Sequence, residues 1–142
     1  MEKKTPIIQK RVKLVGSKGT REVEALFDSG ATYSCIRPDI AREIDISIPL
    51  PEPMVFGSAK NGDFLTANEA VRLNFFLKDC RFSDEFMLIP DLSEELIIGA
   101  KTLQAWRMKL DFEADDVIVD PRVTKLRLMS TGAKLICYPP NL

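Results

Sequence analysis

The sequence predicts a mainly β protein folded as one domain, and three observations carry that expectation. Short runs in which apolar and polar residues alternate recur along most of the 142 residues. Turn signals separate these runs, the strongest being Asn61-Gly62, a preferred pair for a two-residue hairpin turn. Helical spacing of apolar residues is confined to two short stretches, 37–44 and 100–106. With 45% hydrophobic residues the chain can bury one core, and two would be cramped.

The elements follow in order. Ile7 to Val15 alternates in part, with Val12 and Leu14 set between Arg11 and Lys13, and Gly16 to Gly19 supplies a turn before a second strand, Glu22 to Phe27. These form an N-terminal hairpin. After a tight loop at Asp28, the apolar run Tyr33-Ser34-Cys35-Ile36 reads as a strand. Arg37 to Ile44 reads as a short helix, because Pro38 suits a first helical turn and Ile40 and Ile44 share a face. The proline-rich stretch from Ile48 to Pro53 is expected to end regular structure. Met54-Val55-Phe56 and Phe64-Leu65-Thr66 then flank Lys60-Asn61-Gly62-Asp63 as the arms of a hairpin. Val71 to Phe75 and Phe82 to Ile89 are strands joined by a turn at Lys78 to Arg81, and Pro90 to Ser93 breaks the chain before Leu96. Ala100 to Trp106 is a helix of about two turns. Met108 to Phe112 and Val117 to Val119 pair around the acidic turn Glu113 to Asp116, and Val123 to Met129 with Leu135 to Tyr138 form a last strand pair before a frayed tail.

Composition excludes several chemistries. The chain has no histidine, which removes Ser-His-Asp and Cys-His catalysis, histidine acid/base work and most zinc sites. Carboxylates are left as the acid/base candidates, and neither a metal nor a cofactor is implied. Cys35, Cys80 and Cys137 lie far apart without Cys-x-x-Cys spacing, so neither a thiol redox pair nor a disulfide framework is expected. Met1-Glu2-Lys3-Lys4 leads into no apolar leader segment, and no run approaches bilayer-spanning length, so a reduced, cytoplasmic protein is the simplest expectation. The net charge of −1, with both signs interspersed, gives no footprint for nucleic acid.

The segment Ala25-Leu26-Phe27-Asp28-Ser29-Gly30-Ala31-Thr32 sets a carboxylic acid at the end of an apolar strand, inside a turn of small residues. Gly30 lets the backbone close tightly, and amide hydrogens of such a turn can aim at the carboxylate. With its flanks, the motif resembles the active-site loop of the retropepsin-like aspartic peptidases, the retroviral, retrotransposon and cellular or bacterial proteins that carry a single Asp-Ser-Gly per chain. A second element, Leu96-Ile97-Ile98-Gly99-Ala100 followed by Thr102-Leu103, resembles the segment and short helix that close the same fold. The hairpin around Lys60, Asn61, Gly62 and Asp63 lies where that family carries its flap, with Phe56 and Phe64 on the arms. In isolation it reads as an ordinary surface hairpin.

The likeness covers about residues 7 to 120, leaving a C-terminal extension of about 121 to 142 within a single domain. It implies a closed, barrel-like β fold with one or two short helices and a flap hairpin, and the activity of an aspartic endopeptidase. Asp28 is then catalytic, Gly30 donates its amide to Asp28, and Ser29 bonds across a dimer axis. Ala31 and Thr32 border the cleft, and Ile97, Ile98 and Gly99 form the second motif. Hydrolysis by carboxylates needs one ionised and one protonated group, and one Asp-Ser-Gly supplies half of that pair. The partner acid is therefore expected from a second copy related by a twofold axis, which makes the protein a homodimer acting on a peptide or protein substrate.

The chain departs from the family pattern at Thr32-Tyr33, where retroviral members carry acids, and at Lys101, where many relatives have an acid. Other readings of the same residues stand beside the family one. Asp28-Ser29-Gly30 also has a lesser reading as a plain turn with Asp28 capping amides, and Ile97-Ile98-Gly99 alone reads as a core strand ending at glycine. Trp106 is expected in packing, and Cys35 as a small buried hydrophobe. At the level of function, the alternatives are a catalytically silent dimer that grips extended peptides or partner proteins, and a small β-rich interaction domain.

Overall fold

The computed structural model describes residues 7–57, 64–124, 126–127 and 134–135. Strand β1, Ile7–Val15, pairs antiparallel along its whole length with β2, Thr20–Asp28, from Ile7 opposite Asp28 to Val15 opposite Thr20. Alternation sends Ile8, Val12 and Leu14 of β1 and Val23, Ala25 and Phe27 of β2 inward. The turn between them is held by the Gly16 amide donating to the Gly19 carbonyl (2.8 Å), and Lys18 donates to the carbonyl of Ile44 (2.8 Å). That contact explains Gly16, since a Cβ there would lie 2.2 Å from the Ile44 carbonyl oxygen.

Strand β3 is Cys35–Ile36, shorter than the four-residue run the sequence predicts because Tyr33 and Ser34 still belong to the loop. Helix α1, Pro38–Ile44, starts with proline in its first turn and buries Ile40, Ala41 and Ile44, as their spacing predicts. Strand β4, Ile48–Gly57, overturns one expectation: the proline-rich stretch does not end regular structure. It pairs with β5, Phe64–Leu77, at Ile48 and Pro49 and again from Met54 to Gly57, with a register shift between. Proline is tolerated because β4 is the outermost strand of its sheet, so Pro49, Pro51 and Pro53 face no second partner that needs their missing amides.

Strand β5 runs 14 residues without interruption, joining two segments that read separately in sequence. Its partner β6, Cys80–Leu88, follows a turn of two residues, Lys78 and Asp79, whose φ angles of 54° and 63° identify a type I′ hairpin. Strand β7 is Leu96–Ile98 and helix α2 is Ala100–Ala105. Strands β8, Lys109–Asp111, and β9, Asp116–Ile118, form the expected acidic hairpin. Pro121–Thr124 is a third helical turn, α3, where one or two helices and the start of a strand were expected, with Pro121 at its first position. Of the last expected pair, the described residues include β10, Leu126–Arg127, antiparallel to β11, Lys134–Leu135; residues 125, 128–129 and 136–138 lie outside the described residues.

The main sheet has the order β1-β2-β7-β3-β6-β5-β4, and β5 also pairs back onto β1 through Lys13–Phe76, Leu14–Phe75 and Val15–Asn74. Six strands thus close into a barrel, with β4 laid outside it on β5. Closure gives each of the six barrel strands a neighbour on both sides over part of its length. Inside, Phe75 stacks on Phe82 at 5.2 Å, and Trp106 meets Phe82 edge-on at 5.3 Å while its indole nitrogen donates to the Ser83 carbonyl (3.1 Å). Trp106 is therefore a packing residue, as expected. A smaller apolar cluster, including Cys35, Ala67, Met87 and Ile89, lies against Tyr33, Met54, Phe56 and Ile97. Among the described residues no helix is long and apolar enough to cross a membrane.

The type I′ turn yields a prediction. Both central residues hold positive φ, which side chains disfavour and glycine does not. Asp79→Gly is expected to raise stability by about 0.5–1 kcal/mol in urea denaturation, leaving the Lys78–Asp116 ion pair in place. A lowered midpoint would contradict this account of the turn.

Candidate functional site

Asp28 is the last residue of β2 and is half-buried, while Ser29 and Gly30 after it are exposed. The chain must turn here, and the carboxylate is used to hold the turn: the Gly30 amide donates to Oδ1 at 2.8 Å, and the Ala31 amide donates to the Asp28 carbonyl at 3.2 Å. One carboxylate oxygen is thereby fixed in direction, and Oδ2 has no protein donor among the described residues. Ala31 is half-buried and Thr32 exposed.

The far side of this loop is docked on the second motif. Strand β7 is threaded between the two strands that flank the loop, parallel to β2 (Leu26 opposite Ile97, Phe27 opposite Ile98) and antiparallel to β3 (Cys35 opposite Ile97). Gly99 follows directly, so the first amides of α2 lie under the loop: Ala100 donates to the Ala31 carbonyl (2.6 Å) and Lys101 to the Thr32 carbonyl (3.1 Å). A Cβ on Gly99 would sit 2.5 Å from the Tyr33 carbonyl oxygen and 2.8 Å from that of Ala31. Ile97, Ile98 and Gly99 are thus brought against the Asp28 loop, with Ile98 wholly buried beneath.

Sequence reasoning missed what lies behind Gly99. Ser34 and Thr102 are the two buried polar side chains among the described residues, at 3% and 1% exposure. The Gly99 amide donates to Ser34 Oγ (3.0 Å), Ser34 Oγ meets Thr102 Oγ1 (2.6 Å), and Thr102 Oγ1 donates to Asp84 Oδ2. Donor counting fixes the direction. Thr102 has one hydroxyl proton and gives it to the carboxylate, so Ser34 must donate to Thr102 and accept from Gly99. A chain of hydrogen bonds therefore runs from Asp84 of β6 through Thr102 of α2 and the loop residue Ser34 to Gly99 at the base of the loop. Ser34, Asp84 and Thr102 share no sequence spacing, and only the topology brings them together.

The flap expectation divides. Phe56, on β4, is half-buried and packs edge-on against the Tyr33 ring at 5.5 Å, which ties that arm to the residue after Thr32. Phe64, on β5, is 67% exposed. Lys60, Asn61, Gly62 and Asp63 lie outside the described residues. Lys101 places its ammonium 4.9 Å over the Tyr33 ring, a cation–π contact. Cys35 is buried as expected, and burial pushes its thiol up to about 11. Among the described residues no group of three or more histidine, cysteine, aspartate or glutamate side chains is placed to hold a metal ion.

Comparison with solved structures finds the chain similar to the crystal structure of the retroviral protease-like domain of Ddi1 from Leishmania major. The TM-score is 0.57 at 21% sequence identity, with 82% of this chain and 90% of that chain covered. At this identity the likeness shows the fold, and the fold is retropepsin-like. No protein-family model matches the chain, and no curated protein matches its sequence.

Two outcomes follow from these contacts. Gly99→Ala forces a methyl group into the loop's backbone and is expected to cost about 1–3 kcal/mol in denaturant unfolding. Gly19→Ala, where a Cβ meets nothing within 4 Å, serves as the control with little change, and equal effects would refute the docking argument. The raised Cys35 thiol stays protonated at pH 8, where an unfolded cysteine begins to ionise, so alkylation mapped by mass spectrometry should be at least about 100-fold slower at Cys35 in the native protein than in urea. Equal rates would place Cys35 at the surface.

Proposed function

We propose that this protein is an aspartic endopeptidase whose active site forms between two copies of the chain, each supplying one Asp28. The observation that carries the proposal is a half-buried carboxylate at a strand end, one oxygen fixed by the Gly30 amide, in a loop clamped from below by Gly99 and the start of α2. A carboxyl held in this way keeps a defined direction, which proton transfer to and from a bound water requires. The retropepsin-like fold is consistent with the same use.

In the proposed reaction the two Asp28 carboxyls meet across a twofold axis. Two such groups in contact cannot both ionise, so the pair holds one proton between them, as is known for aspartic proteases. The ionised member takes a proton from a water molecule, and the water oxygen attacks the peptide carbonyl carbon. The protonated member gives its proton to the carbonyl oxygen, so the tetrahedral intermediate forms without a bare negative charge. Return of a proton to the leaving nitrogen breaks the C–N bond. Ser29 bonds across the axis, Ala31 and Thr32 border the bound chain, and the β4–β5 hairpin with Phe56 and Phe64 covers an extended substrate. Its residues Lys60, Asn61, Gly62 and Asp63 form the tip in this reading.

Asp28→Asn keeps the shape of the loop and removes the acid. It is expected to lower cleavage of an unfolded protein substrate by at least about 10²-fold, with folding and dimerisation retained. Wild-type activity should be greatest at mildly acidic pH and fall as the pair loses its shared proton on going alkaline. Undiminished turnover in the variant would end the catalytic assignment. Tight binding of extended peptides by the wild type without cleavage would replace the enzyme with a peptide-binding dimer.

A further inference from the structure

Tyr33 directly follows the residues that border Asp28, and its ring is held from two sides. Phe56 meets it edge-on at 5.5 Å from the β4 arm, and Lys101 sets its ammonium 4.9 Å from the ring centre on the α2 side. The backbone of that lysine is fixed as well, because its amide donates to the Thr32 carbonyl (3.1 Å). Among the described residues neither the Lys101 ammonium nor the Tyr33 hydroxyl has a hydrogen-bond or ion-pair partner. The hydroxyl still reaches water, since no buried side-chain oxygen or nitrogen among the described residues lacks a partner. Acids in the adjoining segments are engaged elsewhere. Helix α2 contains none, Asp84 accepts the Thr102 hydroxyl, and Glu95 accepts the Glu24 amide (2.8 Å) and faces Arg21 (3.9 Å).

We propose that Tyr33 and Lys101 form a subsite for an acidic side chain of the extended peptide bound over the Asp28 loop, its carboxylate taken between the ammonium and the phenol hydroxyl. The proposal rests on the reading that a peptide lies across this loop, and it names the residue type selected there. The sheet gives the spacing. Leu26 and Cys35 both lie opposite Ile97, one on each side of β7, so β2 and β3 stand two strand spacings, roughly 10 Å, apart. Asp28 comes two residues after Leu26 and Tyr33 two residues before Cys35, and the two strands run in opposite directions, which brings both residues to the same end of β7. An extended chain covers roughly 10 Å in three residues. The selected acid therefore lies about three residues from the bond held at Asp28, and a twofold site selects it on both sides of that bond. The chemistry favours a charged acceptor. An ammonium resting on a ring has already lost part of its water, and its remaining protons bind a carboxylate more strongly than a neutral amide. Phe56 fixes the ring before the ligand arrives, which lowers the ordering cost of binding.

Peptide binding tests this on the full chain carrying Asp28→Asn, which keeps the loop and removes the acid. The probes are fluorescein-labelled peptides of about nine residues with an apolar centre and either glutamate, glutamine or lysine about three positions from it on both sides. Fluorescence anisotropy at low salt should rank glutamate over glutamine by at least about threefold in affinity, with lysine below both. Adding Lys101→Glu should reverse the order to lysine over glutamate. Tyr33→Phe, which keeps the ring and removes the hydroxyl, should narrow the glutamate advantage, and circular dichroism checks that each variant is folded. Equal affinities, an order unchanged by Lys101→Glu, an undiminished glutamate advantage in the Tyr33→Phe variant, or no binding of any peptide at about 1 mM would each overturn the proposal. Cleavage of the same peptides by the chain with Asp28 intact is read separately. Peptides ranked as expected but left uncut would keep the subsite and remove the peptidase. Cleavage without that ranking would do the reverse.

Discussion

Strand β7 enters the sheet between β2 and β3, two strands that are consecutive in the chain, and that insertion sets most of what surrounds Asp28. Leu96, Ile97 and Ile98 pair on both sides, so the ends of β2 and β3 are held one strand-width further apart than a hairpin would place them. The loop from Asp28 to Ser34 must bridge that gap. It does so over Gly99, where the backbone approaches too closely for any side chain. A barrel of six strands with a loop of this reach at one end follows from the threading.

The polar chain from Gly99 through Ser34 and Thr102 to Asp84 fixes how deeply the threaded segment sits. Buried hydroxyls without partners would destabilise the fold, whereas here each has both a donor and an acceptor role filled, and the chain ends on a carboxylate part-way to solvent. Asp84 is held in turn by the Glu85 amide on its other oxygen (2.7 Å). The effect is positional, since the Gly99 amide is drawn toward Ser34 while the next two amides of α2 point up at the loop carbonyls. Tyr33 joins this base to the hairpin arm above, through its ring contact with Phe56, and Lys101 covers the same ring from the α2 side. Burial of the loop's underside and exposure of Ser29 and Gly30 leave one face of Asp28 available to whatever approaches it.

Much of this architecture is legible in the sequence because it is local. Alternation predicts β1, β2, β6 and the β8–β9 hairpin, and the Pro38 and Ile40/Ile44 pattern predicts α1 within one residue. The proline-rich β4 is misread because proline reports only what the backbone cannot donate, and whether that matters depends on a strand lying at the edge. The two-residue turn at Lys78-Asp79 is obscured by residues that usually avoid positive φ. At the site, Asp28, Gly30 and Gly99 stand out as residue types that only special backbone or special chemistry favours. Ser34, Thr102 and Asp84 do not, because a serine in an apolar run and a threonine in a short helix carry no mark of a partner 68 positions away.

The central claim is that a working site contains one Asp28 from each of two chains, and subunit mixing measures this most directly. Wild-type and Asp28→Asn protein are combined at fixed total concentration, allowed to exchange, and assayed for cleavage as the wild-type fraction is varied. If both carboxyls are needed, only pairs of wild-type chains cut, and activity follows the square of that fraction. Activity proportional to the fraction itself would mean that each chain holds a complete site, and the account would be wrong.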